Sequence, residues 1–121
     1  MSKWVEAAES ALAELKKQTA IPYDFERFCE QVERLPDTYA VYFLVSAPSV
    51  SSADNKERVY EVRIQVSLFY RNKSTFLTIP DKIIAAFTEA GFCRASEGRI
   101  PYQTNTGHCG WRCEFIFYER R

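Results

Sequence analysis

The 121-residue sequence predicts an α+β fold: a mainly antiparallel sheet of about four strands, built on a long β-hairpin, with two main helices packed on one face. Three observations predict it. Between Glu57 and Arg71, Tyr60, Val62, Ile64, Val66, Leu68 and Tyr70 alternate strictly with Glu61, Arg63, Gln65, Ser67, Phe69 and Arg71. That period of two is the signature of a strand with one buried and one wetter face. Two other segments, 2–18 and 79–90, repeat apolar residues at three- and four-residue steps, as amphipathic helices do. Finally, the elements follow one another as helix, strand, long strand, helix, strand, strand. No internal repeat or dividing linker interrupts them, so residues 1–121 are expected to form a single domain.

In chain order, Ser2 can cap a first helix running to about Gln18, with Trp4, Val5, Ala8, Ala11, Leu12 and Leu15 on its apolar stripe. Pro22 stops it. The aromatic-rich stretch from Tyr23 to Arg34 predicts a partly irregular connection docked through Tyr23, Phe25 and Phe28. Tyr39 to Ser46 is nearly all apolar and β-prone, hence a strand buried on much of both faces. Ala47 to Lys56 is Ser-rich and loop-like. The alternating stretch from Glu57 to Arg71 then returns antiparallel, and its length suggests an arm that outruns the core.

Asn72 to Thr75 reads as a turn. The second helix begins at Thr78 or Ile79 with Pro80 in its first turn, and Gly91 ends it. Phe92 to Ser96 reads as a short strand, Glu97-Gly98 as a turn, and Ile100 to Gly110 as mostly loop. Trp111 to Tyr118 closes the sheet, with Trp111, Cys113, Phe115 and Phe117 on one face and Arg112 and Glu114 on the other.

Composition narrows the function classes. Apolar residues make up 46% and charged residues 26%, as in ordinary soluble globular chains. Sixteen basic and sixteen acidic side chains cancel, which gives no electrostatic reason to expect capture of nucleic acid or anionic membrane. Near-zero net charge also removes long-range repulsion between copies. The start, MSKWVEAAES, lacks the apolar run of a signal peptide, and no stretch approaches a membrane span. A cytoplasmic site of synthesis follows as the expectation, with the four cysteines free and buried.

Chemistry-bearing groups are sparse. His108 is the only histidine, and with Cys109, Cys113 and either Cys93 or Cys29 it superficially suggests a zinc site. Yet residues 109 and 113 on one strand lie about 13 Å apart, whereas two thiolates on one zinc each sit about 2.3 Å from it. Adjacent strand residues face opposite ways, so His108 is poorly placed as a base for Cys109. It reads as a loop histidine beside buried thiols. Asp37, Asp54 and Asp81 are each explained by a turn, a loop or a helix start, and the four glycines form no phosphate loop. No catalytic residue, metal or cofactor is expected.

Arg58, Arg63, Arg71, Lys73 and Arg120-Arg121 could join Tyr60 and Tyr70 in a basic patch for a small ligand or nucleic acid, the alternative reading. The alternation instead sets Arg63 and Arg71 opposite Tyr60 and Tyr70, among Glu57 and Glu61, as on a solvated or intersubunit surface. The candidate subunit contacts are therefore Arg63, Phe69 and Arg71 on the strand, with Val50 and Asp54 in the loop that the hairpin carries outward.

The same residues carry a resemblance. PDTYAVYFLVS, the loop SAPSVSSADNK, the strand RVYEVRIQVSLFYR, the helix PDKIIAAFTEAGF and the closing CEFIFYE resemble the small tail-completion, or tail-terminator, proteins of long-tailed bacteriophages and prophages. RIPYQTNTGHCGWRCEFIFYE is similar to the endings of prophage proteins from the same tail-gene neighbourhood. The resemblance implies an α+β subunit that assembles into a ring, commonly a hexamer. Such a ring caps the tail tube, stops its polymerisation and presents a surface for head attachment. The implied partners are other copies of the chain, tail-tube proteins and head–tail connector proteins, with no membrane and no specific nucleic acid. The implied locations are the bacterial cytoplasm during assembly and then the virion tail.

Overall fold

The computed structural model describes residues 3–28, 34–49 and 58–120. Its elements are α1 (Lys3–Thr19), β1 (Tyr23–Phe25), β2 (Thr38–Ser46), β3 (Val59–Tyr70), α2 (Lys73–Glu89), β4 (Cys93–Gln103) and β5 (His108–Arg120). The fold class is α+β. Five strands lie in the order β1-β2-β3-β5-β4, antiparallel except for β1, which runs parallel to β2. The sheet thus has one strand more than expected. Part of the aromatic connection forms β1, pairing Tyr23 with Ala40 and Phe25 with Tyr42; residues 29–33 of that connection lie outside the described residues.

Both helices cover one face, because the alternation in β3 has a counterpart in each neighbour. Val62, Ile64, Val66, Leu68 and Tyr70 are buried there, opposite Phe117, Phe115, Cys113, Trp111 and Cys109 of β5. α1 brings Trp4, Ala8, Ala11, Leu12 and Leu15 to this layer, and α2 brings Ile79, Ile83 and Phe87. The densest point is aromatic: the Phe115 ring stacks on Phe87 at 4.7 Å and meets Phe92 edge-on at 6.3 Å.

Three boundaries differ from expectation. α2 begins at Lys73, not at Thr78 or Ile79, because the Asn72 side chain accepts a hydrogen bond from the Ser74 N–H and caps the helix. Pro80 therefore sits inside the helix, where it leaves the carbonyl four residues earlier without its usual donor. The far end follows expectation: Gly91 takes φ 103°, Gly91 N–H reaches the Thr88 carbonyl, and Phe92 N–H reaches the Phe87 carbonyl. Packing of Phe92 on Phe87 completes this Schellman ending.

β4 is the second difference, extending to Gln103 through the expected turn at Glu97-Gly98 and into the first part of the expected loop. As an outermost strand it can hold Pro101 and register shifts between Arg94 and Ser96 and between Ile100 and Gln103. β5 correspondingly starts at His108, so that residue belongs to a strand end and not to a loop.

The third is that β3 is no arm. From Val59 to Tyr70 every residue pairs with β5, and β2 flanks it from Arg63 to Tyr70, with an isolated bridge from Ser49 to Tyr60 beyond.

Two features at the ends of α1 have measurable consequences. Ala20 closes the helix with φ 62°, a left-handed conformation that disfavours a Cβ, while its N–H bonds to the Lys16 carbonyl. Ala20→Gly is expected to raise stability by about 0.5–1 kcal/mol in urea denaturation, since the relieved strain exceeds the entropy glycine adds to the unfolded chain. At the other end, Glu119 is buried and its Oε1 accepts the Trp4 N–H at 2.8 Å. A carboxylate at a helix N-terminus offsets the unpaired amides and the dipole. Glu119→Ala should cost about 2 kcal/mol by removing a charged acceptor from a buried donor, and Glu119→Gln should recover part of it. A loss below about 0.5 kcal/mol, the range of ordinary surface substitutions, would contradict this role.

Candidate functional site

The helix-free face of the sheet is the candidate contact surface. Residues paired across an antiparallel ladder share a face, so Tyr39, Val41 and Phe43 of β2 join Glu61, Arg63, Gln65, Ser67 and Phe69 of β3, and Arg112, Glu114 and Tyr118 of β5. This face divides into two zones.

Towards the start of β2 the zone is aromatic. Tyr39 stacks on Phe69 at 5.1 Å, Phe28 packs on Tyr39 at 4.8 Å, and the His108 ring meets Tyr39 edge-on at 5.1 Å. His108 is fully buried. Its Nε2 lies 2.9 Å from the Pro36 carbonyl; a carbonyl only accepts, so Nε2 carries the proton and donates. Nδ1 has no hydrogen-bond partner among the described residues. A shallow, mostly apolar groove of about 290 Å³ runs between Phe28, Leu35, Tyr39, Val41, Phe43 and Phe69.

Towards the other end the zone is charged and largely self-paired. Glu114 lies between two guanidinium groups, 3.1 Å from Arg63 Nη1 and 3.7 Å from Arg112 Nη1. All three side chains are partly exposed, so each ion pair contributes at most about 1 kcal/mol. Gln65 Nε2 donates to Ser67 Oγ at 3.1 Å.

Arg63 and Phe69 therefore sit on this one face, six residues apart on β3 or about 20 Å. Arg71 follows β3 and clamps the sheet's end, with Nη1 at 2.8 Å from Asp37 Oδ1 and Nε donating to the Thr106 carbonyl at 3.0 Å. Val50 and Asp54 lie outside the described residues. The alternative set does not converge, because Tyr70 is buried on the helix side against Phe76 while Arg63 belongs to the opposite face.

One cluster, Glu9 with Tyr42 and Tyr23, had no legible signal in sequence. The Tyr42 hydroxyl donates to Glu9 Oε2 on the helix side, and burial followed by Glu9 raises the Tyr42 pKa. Tyr23 is raised too, by burial first and then by the same carboxylate.

The three cysteines among the described residues are free, but not all buried as expected, and Cys29 lies outside the described residues. Cys93 is exposed, Cys109 is half-buried and Cys113 is buried. Burial first, then Glu97, pushes the Cys113 thiol from 9.0 up to about 12. Alkylation of the native protein near pH 8 should label Cys93 and spare Cys113, as peptide mapping would read. The unfolded chain ionises this thiol first, so its contribution to stability is complete below about pH 9 and falls as pH climbs towards 12.

Among the described residues, no group of three His, Cys, Asp or Glu side chains is placed to hold a metal ion. No helix there is long and apolar enough to cross a membrane. No family model matches the chain, and no curated protein matches it significantly.

Proposed function

We propose that the chain is a structural assembly protein of a tailed bacteriophage or prophage. It acts in tail completion or head–tail joining by self-associating into a ring on the tail tube. The reading starts from the resemblance in element order and strand sequence. The observation that carries it furthest is the helix-free face: long paired strands presenting half-buried Phe43 and Phe69, the latter stacked on buried Tyr39, beside a partly exposed Arg63–Glu114–Arg112 row. A mixed surface of this kind suits protein contacts, in which aromatic and arginine side chains are enriched. The work requires no catalytic group or cofactor; its partners are further copies, tail-tube proteins and connector proteins.

Sedimentation velocity and negative-stain imaging, with and without purified tail tubes, test this function. Closed rings that cap tube ends are the expected result. A chain that stays monomeric at high concentration and never binds tubes would remove the proposal.

A further inference from the structure

The two edges of the sheet differ in charge, and each displays large apolar side chains. One edge is β1 with the end of β2, where Phe25, Leu44 and Val45 are 43%, 42% and 46% exposed. Its charges are mostly acidic. Asp24 and Glu26 lie in and beside β1, and Glu9 reaches in from α1 to Tyr42; among the described residues the nearby bases are Arg27 and Arg63, the latter opposite Ser46 in the ladder and already engaged with Glu114. The opposite edge is β4, where exposed Arg94 and Arg99 outnumber Glu97. Arg99 lies over the Phe76 ring at 4.8 Å, which ties this edge to the start of α2. Leu77, the next residue, is 75% exposed, and Tyr102 of β4 is 60% exposed.

β4 is badly suited to pairing with an added strand. Two register shifts bend it, Pro101 lacks an N–H, and charged side chains punctuate it, all devices that protect sheet edges. Any partner at this edge must be held by side chains.

We infer that the acidic Phe25–Leu44–Val45 edge of one copy packs against the basic Leu77–Tyr102 edge of the next, through side chains and without extending the sheet. Charge complementarity orients the contact and the apolar groups supply its buried area. Because the two surfaces differ, the contact is heterologous: it closes into a ring or runs on as a filament, according to the rotation between copies. The inference rests on the reading of the chain as self-assembling.

Two charge-reversed proteins test it by sedimentation velocity: Asp24→Lys with Glu26→Lys, and Arg94→Glu with Arg99→Glu. Glu26, Arg94 and Arg99 are exposed and Asp24 is half-buried, with Arg94 beside Glu97 at 3.5 Å, so circular dichroism melts check that each variant folds. Each variant alone should associate at least about tenfold more weakly than the parent, and an equimolar mixture should recover assembly by alternating the two. Leu44→Gln, which leaves every charge in place, should also weaken association. Variants that assemble as the parent does, or a folded mixture that stays monomeric, would overturn the edge contact while leaving self-assembly standing. A monomeric parent would overturn both.

Discussion

Phe115→Ala is expected to lower stability by about 3–5 kcal/mol, the usual range for removing a large buried aromatic. Phe115 has no solvent exposure and pairs with Ile64 on β3. Its ring also holds Phe87 of α2 at 4.7 Å and Phe92 at 6.3 Å, so one truncation opens the junction of sheet, helix and Schellman ending together. Against a typical total of about 5–15 kcal/mol, such a loss leaves the variant marginal. Urea titration followed by the fluorescence of Trp4 and Trp111 reads it directly. Phe25→Ala is the control, since that ring is 43% exposed, and it should cost much less. Equal losses from the two substitutions would mean that the Phe87–Phe92–Phe115 cluster is not the centre of the core.

The second large effect comes from a residue with no side chain. Gly110 of β5 lies opposite Ile100 of β4, and a Cβ placed on it would stand 2.6 Å from the Ile100 Cβ. Real carbon atoms do not approach so closely, and the obstacle is a Cβ, which no rotamer change can move. Gly110→Val should cost about 3 kcal/mol, at the upper end of ordinary overpacking. The origin of the clash makes the prediction specific. Ile100→Ala keeps the offending Cβ and should restore little to Gly110→Ala, whereas Ile100→Gly should restore most of what the clash removed. A double-mutant cycle over these variants measures the coupling. If Ile100→Ala rescues as well as Ile100→Gly, the contact is with the outer methyl groups and β4 has shifted.

These two sites also show what the sequence makes legible. The burial of Phe115 follows from its alternation with Glu114 and Ile116 on a strand that is apolar on one face. α+β class, both helices and the β2–β3 hairpin were likewise readable, because each buries one face and so imposes a period. β4 buries neither face fully, and without a period its Gly98 and Pro101 looked like turn residues. β1 spans three residues and exists only through pairing with β2, a tertiary fact that no local pattern carries. At α2, Pro80 outweighed Asn72 in sequence, although the Asn72 side-chain bond sets the observed start.

The candidate surface was legible only in part. Alternation put Arg63 and Phe69 on one face, as observed, but their intramolecular partners, Glu114 and Tyr39, come from neighbouring strands. His108 lies in a polar stretch and gave no sign that Pro36 and Tyr39 would enclose it.

The bond from Trp4 to Glu119 joins residues 115 positions apart. A ribosome makes α1 well before the acceptor for its N-terminus. Until Glu119 has been translated, the start of α1 lacks that partner, and Val59 and Tyr60 lack the β5 residues with which they pair. During synthesis the nascent chain therefore carries an unfinished sheet, the kind of exposed strand edge on which chaperones act. Dependence on contacts so distant in sequence also slows the final step. A chain that stops short of β5 lacks the strand that pairs with every residue of β3 from Val59 to Tyr70.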